Sequence, residues 1–482
     1  MVYQPIIQRM LRDLFLFLSL SFVFASCESV KSSQAQPSIE EKTIATFSIE
    51  ELQKRTFQYF WDYSSNPFAQ THDRAPTQNF YSIAATGFGL TSYLIGAEKN
   101  YVTRQEAAER TLLCLEKMWQ MPQHDGPTKV SGYKGFFYHF LTIDKAERFK
   151  DVELSTIDTG LLMAGVLSAQ VYFDQENEVE EKIRSLADSL YRRVEWDWAM
   201  KDNGVMSMGW RPERGFIPAQ WDGYNEAMIL LIMAMGSPTH PIEKGAWEKW
   251  CAPYEWGEFE GIEHLNFSPL FGHQYSQMYI DFRGIQDAYM REKGIDYFEN
   301  SRRATMANRA YCIRNPHGFE AYDSLTWGLT ACDGPRDTLV QRNEEEIRYH
   351  TYWARGASSL HINDDGTLAP TAMLASIPFA PDVCLAGAQH MWNTYGDKLI
   401  GEYGFRDAFN LSYTYGRNSK NGTSNKEGWF DMDYIGIDQG PILIQTYNHQ
   451  TEFVWALMKK SPYIVAGLKK AGFTGGWLDE LN

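Results

Sequence analysis

The sequence predicts an all-α fold in which two layers of helices form a double-layered α/α toroid. Helical periodicity recurs along the chain, whereas the period-2 alternation typical of strands is scarce. Some helices are amphipathic and others are apolar almost all round, which favours outer helices wrapped around buried inner ones. A stacked helical solenoid is the alternative, but the sequence shows no fixed period.

Helices are expected at residues 48–63, 83–97, 103–120, 156–174, 177–192, 222–236, 275–293, 295–313, 340–361, 384–396 and 441–459. Dense charge places 103–120 and 177–192 in the outer layer. The helices that have apolar or small residues on almost every side, and so belong to the inner layer, are 83–97, 156–174, 222–236 and 441–459.

The N-terminus predicts a targeting segment before the helical domain, which we expect at 47–482. Residues 1–27 hold Arg12 and an apolar run that is too short to span a membrane, as in a signal peptide. Small residues before Cys27 resemble the lipobox of bacterial lipoproteins, which implies lipidation of Cys27. Residues 28–46 are polar, lack aromatic side chains and predict a flexible tether.

Composition restricts the possible partners. The formal net charge of −16 at pH 7 argues against nucleic acid, anionic membranes and polyanionic substrates, and it suits a neutral ligand. The 15 Trp and 27 Tyr exceed what a core needs, and such rings stack well on sugars. The cysteines other than Cys27 lack CxxC spacing, so we expect buried thiols rather than disulfides or a zinc site. These cysteines are Cys114, Cys251, Cys312, Cys332 and Cys384.

Polar segments precede the apolar helices. If the inner helices run parallel, the segments "YSIAATGFG", "ELSTID", "QWDGYNE" and "WFDMDYIGIDQGP" converge on one cavity. Asp222 stands at a helix N-cap position, and capping and ligand binding are equally good explanations for it. Glu226 lies one turn further on and adjoins a wholly apolar run. It is either a satisfied structural carboxylate or an acid whose pKa is raised by burial beside Trp221 and Tyr224.

Two further segments supply acids. Ser155 and Asp158 have the spacing of a capping box, which explains Asp158 structurally, whereas Glu153 has no such explanation. Asp438 precedes Pro441, a residue suited to a first helical turn. One acid at one helix means little, but acids at several buried helix starts indicate a site. Paired carboxylates with aromatic platforms are typical of glycoside hydrolysis, and the sequence leaves inversion or retention open.

Other loops contribute polar residues. The segment "FGHQYSQMYIDFRG" (271–284) contains His273, Gln274, Asp281 and Arg283, and the last two would not face each other on a helix. Trp327 and Asp333 lie in "LTWGLTACDGP", and "HDRAP" (72–76) is a further candidate loop. For each loop alone, structural hydrogen bonding is the better explanation.

These motifs resemble those of the bacterial glucoamylase-like family, glycoside hydrolase family 144, from about residue 50 to 475. The matching segments are "GFFYHFL" (135–141), "ELSTIDTGLLMAG" (153–165), "WDGYNEAM" (221–228), "FGHQYSQMYIDFRG" (271–284), "WGLTACDGP" (327–335) and "GIDQGPILI" (436–444). The resemblance implies an (α/α)6 barrel, inverting hydrolysis of neutral β-1,2-glucan without cofactor or metal, and release of sophorose or short sophoro-oligosaccharides.

The resemblance also implies roles for individual residues. It makes Glu226 the general acid and leaves Asp158, Glu153 or Asp438 as the base, or a proton path through a substrate hydroxyl. Its implied substrate-binding residues are Trp221, Tyr224, His273, Gln274, Arg283, Trp327 and Asp333. Asp222 is a further substrate-binding candidate, although we expect it to matter mainly for structure. We expect exo action because the long, aromatic-rich segment 237–270 is placed to close one end of a cleft.

The sequence leaves several other functions open. They are an endo-β-1,2-glucanase, a hydrolase of another β-glucan, a lyase with Tyr275 or His273 as base and Arg283 to neutralise a uronate, and a non-enzymatic surface lipoprotein that binds glycans. The net charge argues against the lyase. We expect a monomer in the bacterial cell envelope, either periplasmic or on the outer membrane, held only by a lipid at Cys27.

Overall fold

The computed structural model describes residues 47–342, 345–415 and 422–481, all within one compact unit. Helices make up most of its regular structure. They are α1 (Ile49–Tyr63), α2 (Ile83–Glu98), α3 (Arg104–Gln120), α4 (Thr156–Tyr172), α5 (Glu178–Arg192), α6 (Met228–Gly236), α7 (Gly245–Cys251), α8 (Phe271–Tyr279), α9 (Ala288–Lys293), α10 (Tyr297–Arg314), α11 (Pro370–Leu374), α12 (Pro381–Tyr395), α13 (Gly436–Thr451), α14 (Phe453–Met458), α15 (Pro462–Ala471) and α16 (Gly476–Asp479).

Short strands pair in ribbons of two or three. They are β1 (Arg74–Ala75), β2 (Tyr81–Ser82), β3 (Gly132–Tyr133), β4 (Phe136–Phe137), β5 (Phe140–Leu141), β6 (Leu154–Ser155), β7 (Gly209–Arg211), β8 (Gly215–Phe216), β9 (Trp256–Phe259), β10 (Ile262–Leu265), β11 (Ala331–Cys332), β12 (Thr338–Arg342), β13 (Glu345–Tyr349), β14 (Trp353–Ala354), β15 (Gly356–Ala357), β16 (Ile362–Asn363), β17 (Ile400–Gly401), β18 (Gly404–Phe405), β19 (Phe409–Asn410), β20 (Gly422–Asn425), β21 (Gly428–Asp431) and β22 (Tyr434–Ile435). The two layers are therefore helical as expected, but the all-α prediction did not include the short strands in the loops.

The buried helices form a closed series of neighbours. Helix α2 packs against α4, α4 against α6, α6 against α8, α8 against α13, and α13 again against α2. All nine residues of α6 are buried, as its apolar sequence predicts. The amphipathic helices cover this series from outside: α3 packs on α2, α5 on α4, α10 on α8 and α15 on α6. The predicted distinction between inner and outer helices is confirmed.

Small residues let two inner helices approach closely. A Cβ atom added to Gly87 on α2 would come within 2.5 Å of the carbonyl oxygen of Leu161 on α4, and one added to Gly165 on α4 would meet the backbone of Gly87. The backbones of α2 and α4 therefore touch where a side chain would hold them apart.

Four predicted helices need correction. Segment 340–361 is not helical, because β12 and β13 pair as an antiparallel hairpin with Val340 opposite Ile347. Segment 275–293 is divided into α8 and α9 by a non-helical stretch, and segment 222–236 becomes helical only at Met228. The helix predicted at 441–459 begins earlier, at Gly436, and is divided into α13 and α14 at Glu452, so Pro441 lies inside α13 rather than in its first turn.

Short ribbons tie together the segments that precede the inner helices. β2, before α2, pairs with β5; β6, before α4, pairs with β7; and β22, before α13, pairs with β1. Because these ribbons lie at helix N-termini, they bring loops that are distant in sequence to one end of the helical series.

In the described part of the chain every cysteine is a free thiol, four of them buried and Cys251 half-buried, as expected. None of the described helices combines the length and apolar character needed to cross a bilayer. The predicted signal peptide, Cys27 and the tether at 28–46 lie outside the described residues.

Candidate active site

A cavity of about 450 Å³ opens at the N-terminal ends of the inner helices. Its wall includes Ser82 beside α2, Asp158 in the first turn of α4, Glu226 before α6, Tyr275 on α8 and Ile437 on α13. The predicted convergence of these segments on one cavity is therefore confirmed. The cavity is within the size range of ligand-binding pockets.

Glu226 is the acid with the most distinctive environment. It lies in the turn that precedes α6, half-buried at the cavity wall. Burial, with a contribution from the charge of Asp158, raises its pKa to about 7 despite a backbone hydrogen bond that opposes the shift. A carboxyl group with this pKa still carries a proton near neutral pH, as a general acid requires.

Asp158 occupies the same wall. Ser155 caps α4 by accepting a hydrogen bond from the backbone N–H of Asp158 at 3.2 Å, and its hydroxyl donates to the Asp158 carboxylate. The predicted pairing of these two residues is confirmed. It also fixes the carboxylate in the cavity, so the capping and site explanations apply together.

His139 joins Asp158 to Glu153. Its Nδ1 lies 3.0 Å from a Glu153 carboxylate oxygen, and its Nε2 lies 3.6 Å from Asp158. Burial disfavours the imidazolium, but the two carboxylates outweigh burial and raise the pKa of His139 to about 9. Arg211 adds a second cation 3.3 Å from Glu153. The hydrogen bond from His139, opposed by burial, lowers the pKa of Glu153 to about 2.

These contacts separate the roles of the acids. Glu153 is held ionised by two cations, so the structure supplies the explanation that the sequence lacked for it. Asp158 shares the cavity wall with Glu226, whereas Glu153 lies one contact behind, beyond His139.

A second acidic group surrounds Asp438 in the first turn of α13. Burial and the neighbouring Asp407 raise the pKa of Asp438 well above its ordinary value, and burial followed by the charge of Asp333 raises the pKa of Asp407 to about 7. Arg74 forms ion pairs with Asp333 and with Asp73, the latter at 2.9 Å. A shared proton between Asp407 and Asp438 and the guanidinium of Arg74 thus moderate the charge of this group.

Carboxylate oxygens of three of these acids approach closely. Those of Asp333, Asp407 and Asp431 lie within 4.8 Å of one another, and all three residues are buried. Burial, followed by Asp333 and Asp407, raises the pKa of Asp431 as well. The expectation that no metal or cofactor is required stays a prediction.

Aromatic rings form much of the remaining wall. Phe80 and Phe140 lie together at one side, with ring centroids 4.2 Å apart, and Phe271 and Tyr352 line other parts. Tyr275 donates a hydrogen bond of 3.0 Å to the carbonyl of Ile437. That carbonyl lies four residues before Pro441, which has no N–H to offer it, so the proline inside α13 leaves an acceptor for a cavity-lining tyrosine.

The structure does not bring most of the predicted sugar-binding residues to the cavity. Trp221 is buried and donates to Thr156 at 2.8 Å, and Tyr224 stacks on Tyr297. Gln274 donates to the carbonyl of Ala372 at 2.8 Å. Other buried residues of the set are His273 and Trp327.

These residues use their polar atoms or ring faces within the core, so their substrate-binding roles stay predictions that the geometry does not favour. Burial lowers the pKa of His273 to about 3 and keeps its ring neutral. Asp333 differs from the others, because it reaches the edge of the cavity through Arg74.

Two residues need a more specific correction. Asp222 is not an N-cap, because α6 begins six residues later; its exposed carboxylate accepts from Gln220 at 2.7 Å. Arg283 follows the C-terminal end of α8 rather than its cavity end, and it donates to Asp281 at 2.7 Å. Arg283 and Asp281 face each other because the chain there is not helical.

Segment 237–270 also differs from expectation. Trp247 and Trp250 are buried, and Trp247 packs on Phe473. No aromatic residue of this fully described segment is among the residues that line the cavity. The segment therefore gives no support to exo action.

Sequence reasoning missed His139, Phe140, Tyr352, Arg211 and Asp407. His139 and Phe140 lie within the quoted segment "GFFYHFL", but neither has a helical spacing that marks it as functional. Arg74 was covered only by the loop "HDRAP", and the structure places it and Asp73 on the cavity wall.

Together these features define a predominantly helical protein with an acid-lined, aromatic cavity at the N-termini of its buried helices. The chain belongs to the Glycoamylase family, described as "Putative glucoamylase", whose model matches residues 218–462.

Three similar proteins describe this family further. An exo β-1,2-glucooligosaccharide sophorohydrolase (non-reducing end) of Parabacteroides distasonis is 28% identical over 453 residues; the match covers 87% of this chain and 57% of that protein. The crystal structure of a "putative glucoamylase" from Bacteroides uniformis is 31% identical with a TM-score of 0.75, covering 90% of this chain and 100% of the other. An endo-β-1,2-glucanase from Chitinophaga pinensis, in complex with sophorotriose and glucose, is 27% identical with a TM-score of 0.73, covering 89% and 99%.

Proposed function

We propose that this protein hydrolyses β-1,2-glucan and releases sophorose. The observation that carries the proposal is the Glu226 carboxyl, which has a pKa raised to about 7 and shares an aromatic cavity with Asp158. A protonated acid and a second carboxylate on one cavity wall are the pair that glycoside hydrolysis needs. The named activities of the Parabacteroides and Chitinophaga relatives support β-1,2-glucan as the substrate.

The mechanism assigns one role to each carboxyl group. Glu226 donates its proton to the leaving glycosidic oxygen while Asp158 activates a water molecule that attacks the anomeric carbon from the opposite face. Inversion, which the family resemblance implies, is part of the proposal. Glu153 and Asp438 are weaker candidates for the base, because one is held in ion pairs and the other keeps its proton beside Asp407.

We also propose that the helices form an (α/α)6 barrel and that the action is exo. The closed series α2, α4, α6, α8 and α13, with the short buried helix α11 beside α8 and α13 as a sixth inner member and the outer helices around it, supports the barrel. Exo action rests on the named activity of the Parabacteroides relative, of which this chain spans only 57%. The Chitinophaga relative is an endo enzyme, so the test must separate the two modes.

The test incubates the protein with linear β-1,2-glucan and follows product size and anomeric configuration with time. We expect sophorose from the first time point, formed initially as the α-anomer. A spread of oligosaccharides would agree with hydrolysis of β-1,2-glucan but would show that the action is endo and not exo. If the protein cleaves another β-glucan but gives no product from β-1,2-glucan, the proposed substrate is wrong. Binding of glucan without any cleavage would favour the non-enzymatic glycan-binding alternative.

We further propose that the protein resides in the bacterial cell envelope, anchored by a lipid on Cys27. Metabolic labelling with a fatty-acid analogue in a bacterial host is expected to mark the wild-type chain and not the Cys27→Ser variant. Release of wild-type protein into the soluble periplasmic fraction, without label, would contradict the anchor.

A further inference from the structure

The segment His350–Trp353 forms one edge of the cavity, and we call it the rim shelf. Its Tyr352 lines the cavity. The adjoining strand β14 pairs with β11, where Ala331, which also lines the cavity, lies opposite Ala354. The shelf is therefore continuous with the proposed active site.

The shelf exposes two large aromatic side chains. Tyr352 is 40% exposed and Trp353 is 46% exposed. Among the described residues, five of the twelve exposed large hydrophobic residues come from 339–362, a short part of the chain. They are Leu339, Tyr352, Trp353, Leu360 and Ile362. Exposed apolar side chains that adjoin a cavity, as Tyr352 and its neighbour Trp353 do, are a mark of ligand binding.

A buried cation holds the shelf in place. The guanidinium of Arg355 pairs with Asp365 at 2.7 and 2.8 Å, and both side chains are almost fully buried. The same guanidinium donates to the backbone carbonyls of His350 at 3.1 Å, Thr351 at 3.3 Å and Cys332 at 2.8 Å. The backbone that presents Tyr352 and Trp353 is thus fixed from below, which reduces the entropy that a ligand would have to remove on binding.

Trp353 has one supported face. The His350 ring stacks on it with centroids 4.4 Å apart and planes 10° from parallel. The remaining surface is open to solvent. Tyr352, in the bend just before β14, lines the cavity, whereas Trp353, the first residue of β14, is exposed and lies outside the cavity lining. A chain that leaves the cavity at this edge meets Tyr352 first and Trp353 next.

We propose that the rim shelf is an outer sugar-binding site, where Tyr352 and Trp353 bind glucosyl residues of a glucan chain that extends beyond the cavity. The inference rests on the proposed function and adds a site that favours long substrates over short ones. The fixed, flat and partly apolar ring of Trp353 suits the C–H face of a pyranose.

The test compares Trp353→Ala with Trp353→Phe and with a matched control. Trp119→Ala is suitable, because Trp119 is 45% exposed and lies at the C-terminal end of α3, outside the cavity wall. The measured quantity is the ratio of kcat/KM on long β-1,2-glucan to kcat/KM on the shortest oligosaccharide that is cleaved. We expect Trp353→Ala to lower this ratio about 3- to 10-fold, through KM on the polymer, and Trp353→Phe to restore most of it. Trp119→Ala should keep the wild-type ratio.

A binding measurement separates the two proposals. Calorimetric titration of long β-1,2-glucan into Glu226→Gln, with and without Trp353→Ala, should show the same loss of affinity in the absence of turnover. If the wild-type protein cleaves the polymer and Trp353→Ala has the wild-type ratio and affinity, the shelf is wrong and the proposed function stands. If the wild-type protein neither binds nor cleaves the polymer, both proposals fail.

Discussion

Glu226 and Asp222 lie four residues apart but in opposite environments. Glu226 lines the cavity with its pKa raised to about 7, whereas Asp222 is exposed and bonded to Gln220. Replacing Glu226 by Gln removes the proton donor while keeping the shape of the side chain. We expect kcat to fall by about 10²- to 10⁴-fold on β-1,2-glucan, with an unchanged or slightly higher melting temperature.

Asp222→Asn is the matched control for Glu226→Gln. It makes the same chemical change nearby, and we expect activity within about twofold of wild type, since surface substitutions away from special features have small effects. An active Glu226→Gln variant would remove Glu226 from the acid role. An inactive but stably folded Asp222→Asn variant would show that the roles of the two residues are reversed.

His139 controls the ionisation of the carboxylates beside it. His139→Gln keeps a hydrogen-bond donor but removes the positive charge 3.0 Å from Glu153 and 3.6 Å from Asp158. The pKa of Glu153, which His139 holds near 2, should rise towards its ordinary value. Because the proposed base Asp158 also loses the cation beside it, we expect a lower kcat and an acidic limb of the pH–rate profile that moves to higher pH.

The alkaline limb provides an internal reference for His139→Gln. It reports deprotonation of the acid, so in wild type we expect activity to fall above about pH 7 as Glu226 loses its proton. His124→Gln, an exposed histidine outside the cavity wall, should leave both limbs in place. A pH–rate profile for His139→Gln that has the wild-type acidic limb would contradict the proposed electrostatic role.

At the scale of elements, the contact between α2 and α4 depends on glycine. The Cβ atom of Ala at 165 would press on the backbone of Gly87, which has no flexible side-chain end that can move aside. Gly165→Ala should lower the free energy of unfolding by about 1–3 kcal/mol, as overpacking does. Chemical denaturation measures this change. Gly245→Ala is the control, because a Cβ atom added there would have no atom within 4 Å; an equal loss in both variants would rule out the steric cause.

Some helices and strands could be predicted from local sequence signals and others could not. The apolar sequence of α6 and the cap Ser155 are local signals, and the helices they predict are present. The helix predicted at 340–361 is wrong because the charged residues of this segment resemble a helix surface. The alternation Ile347, Arg348, Tyr349, with the first and third buried, is the strand signal, but the partner strand that makes use of it is not visible locally.

At the scale of the whole molecule, the site was only partly predictable. Helix starts indicate Asp158 and Glu226, because a carboxylate beside an apolar run is a local anomaly. His139 and Tyr352 reach the cavity through ribbons between distant segments, and no spacing within one segment records that meeting. Trp221 and Tyr224 show the opposite limit: aromatic residues beside an acid suggest sugar platforms, but these two are buried in the core, so their sugar-binding roles stay predictions.

The carboxyl groups also make the stability of the whole molecule depend on pH. Burial raises the pKa of Glu226 and Asp407 to about 7, and it raises those of Asp431 and Asp438 well above their ordinary values. The pKa of His139 is raised to about 9. Each group binds its proton more tightly in the folded protein, so each contributes stability that is lost as pH rises through the folded pKa.

We therefore expect the free energy of unfolding to fall by at least about 2 kcal/mol between pH 5 and pH 9, measured by denaturation at constant ionic strength. General repulsion from a net charge of −16 would act in the same direction, but salt screens surface charges far more than buried ones. The decline should therefore persist in about 0.5 M salt and become shallower in Asp407→Asn, which removes one of the buried groups. A decline that vanishes in salt would assign the effect to surface charge, and stability that rises from pH 5 to pH 8 would contradict the buried protons.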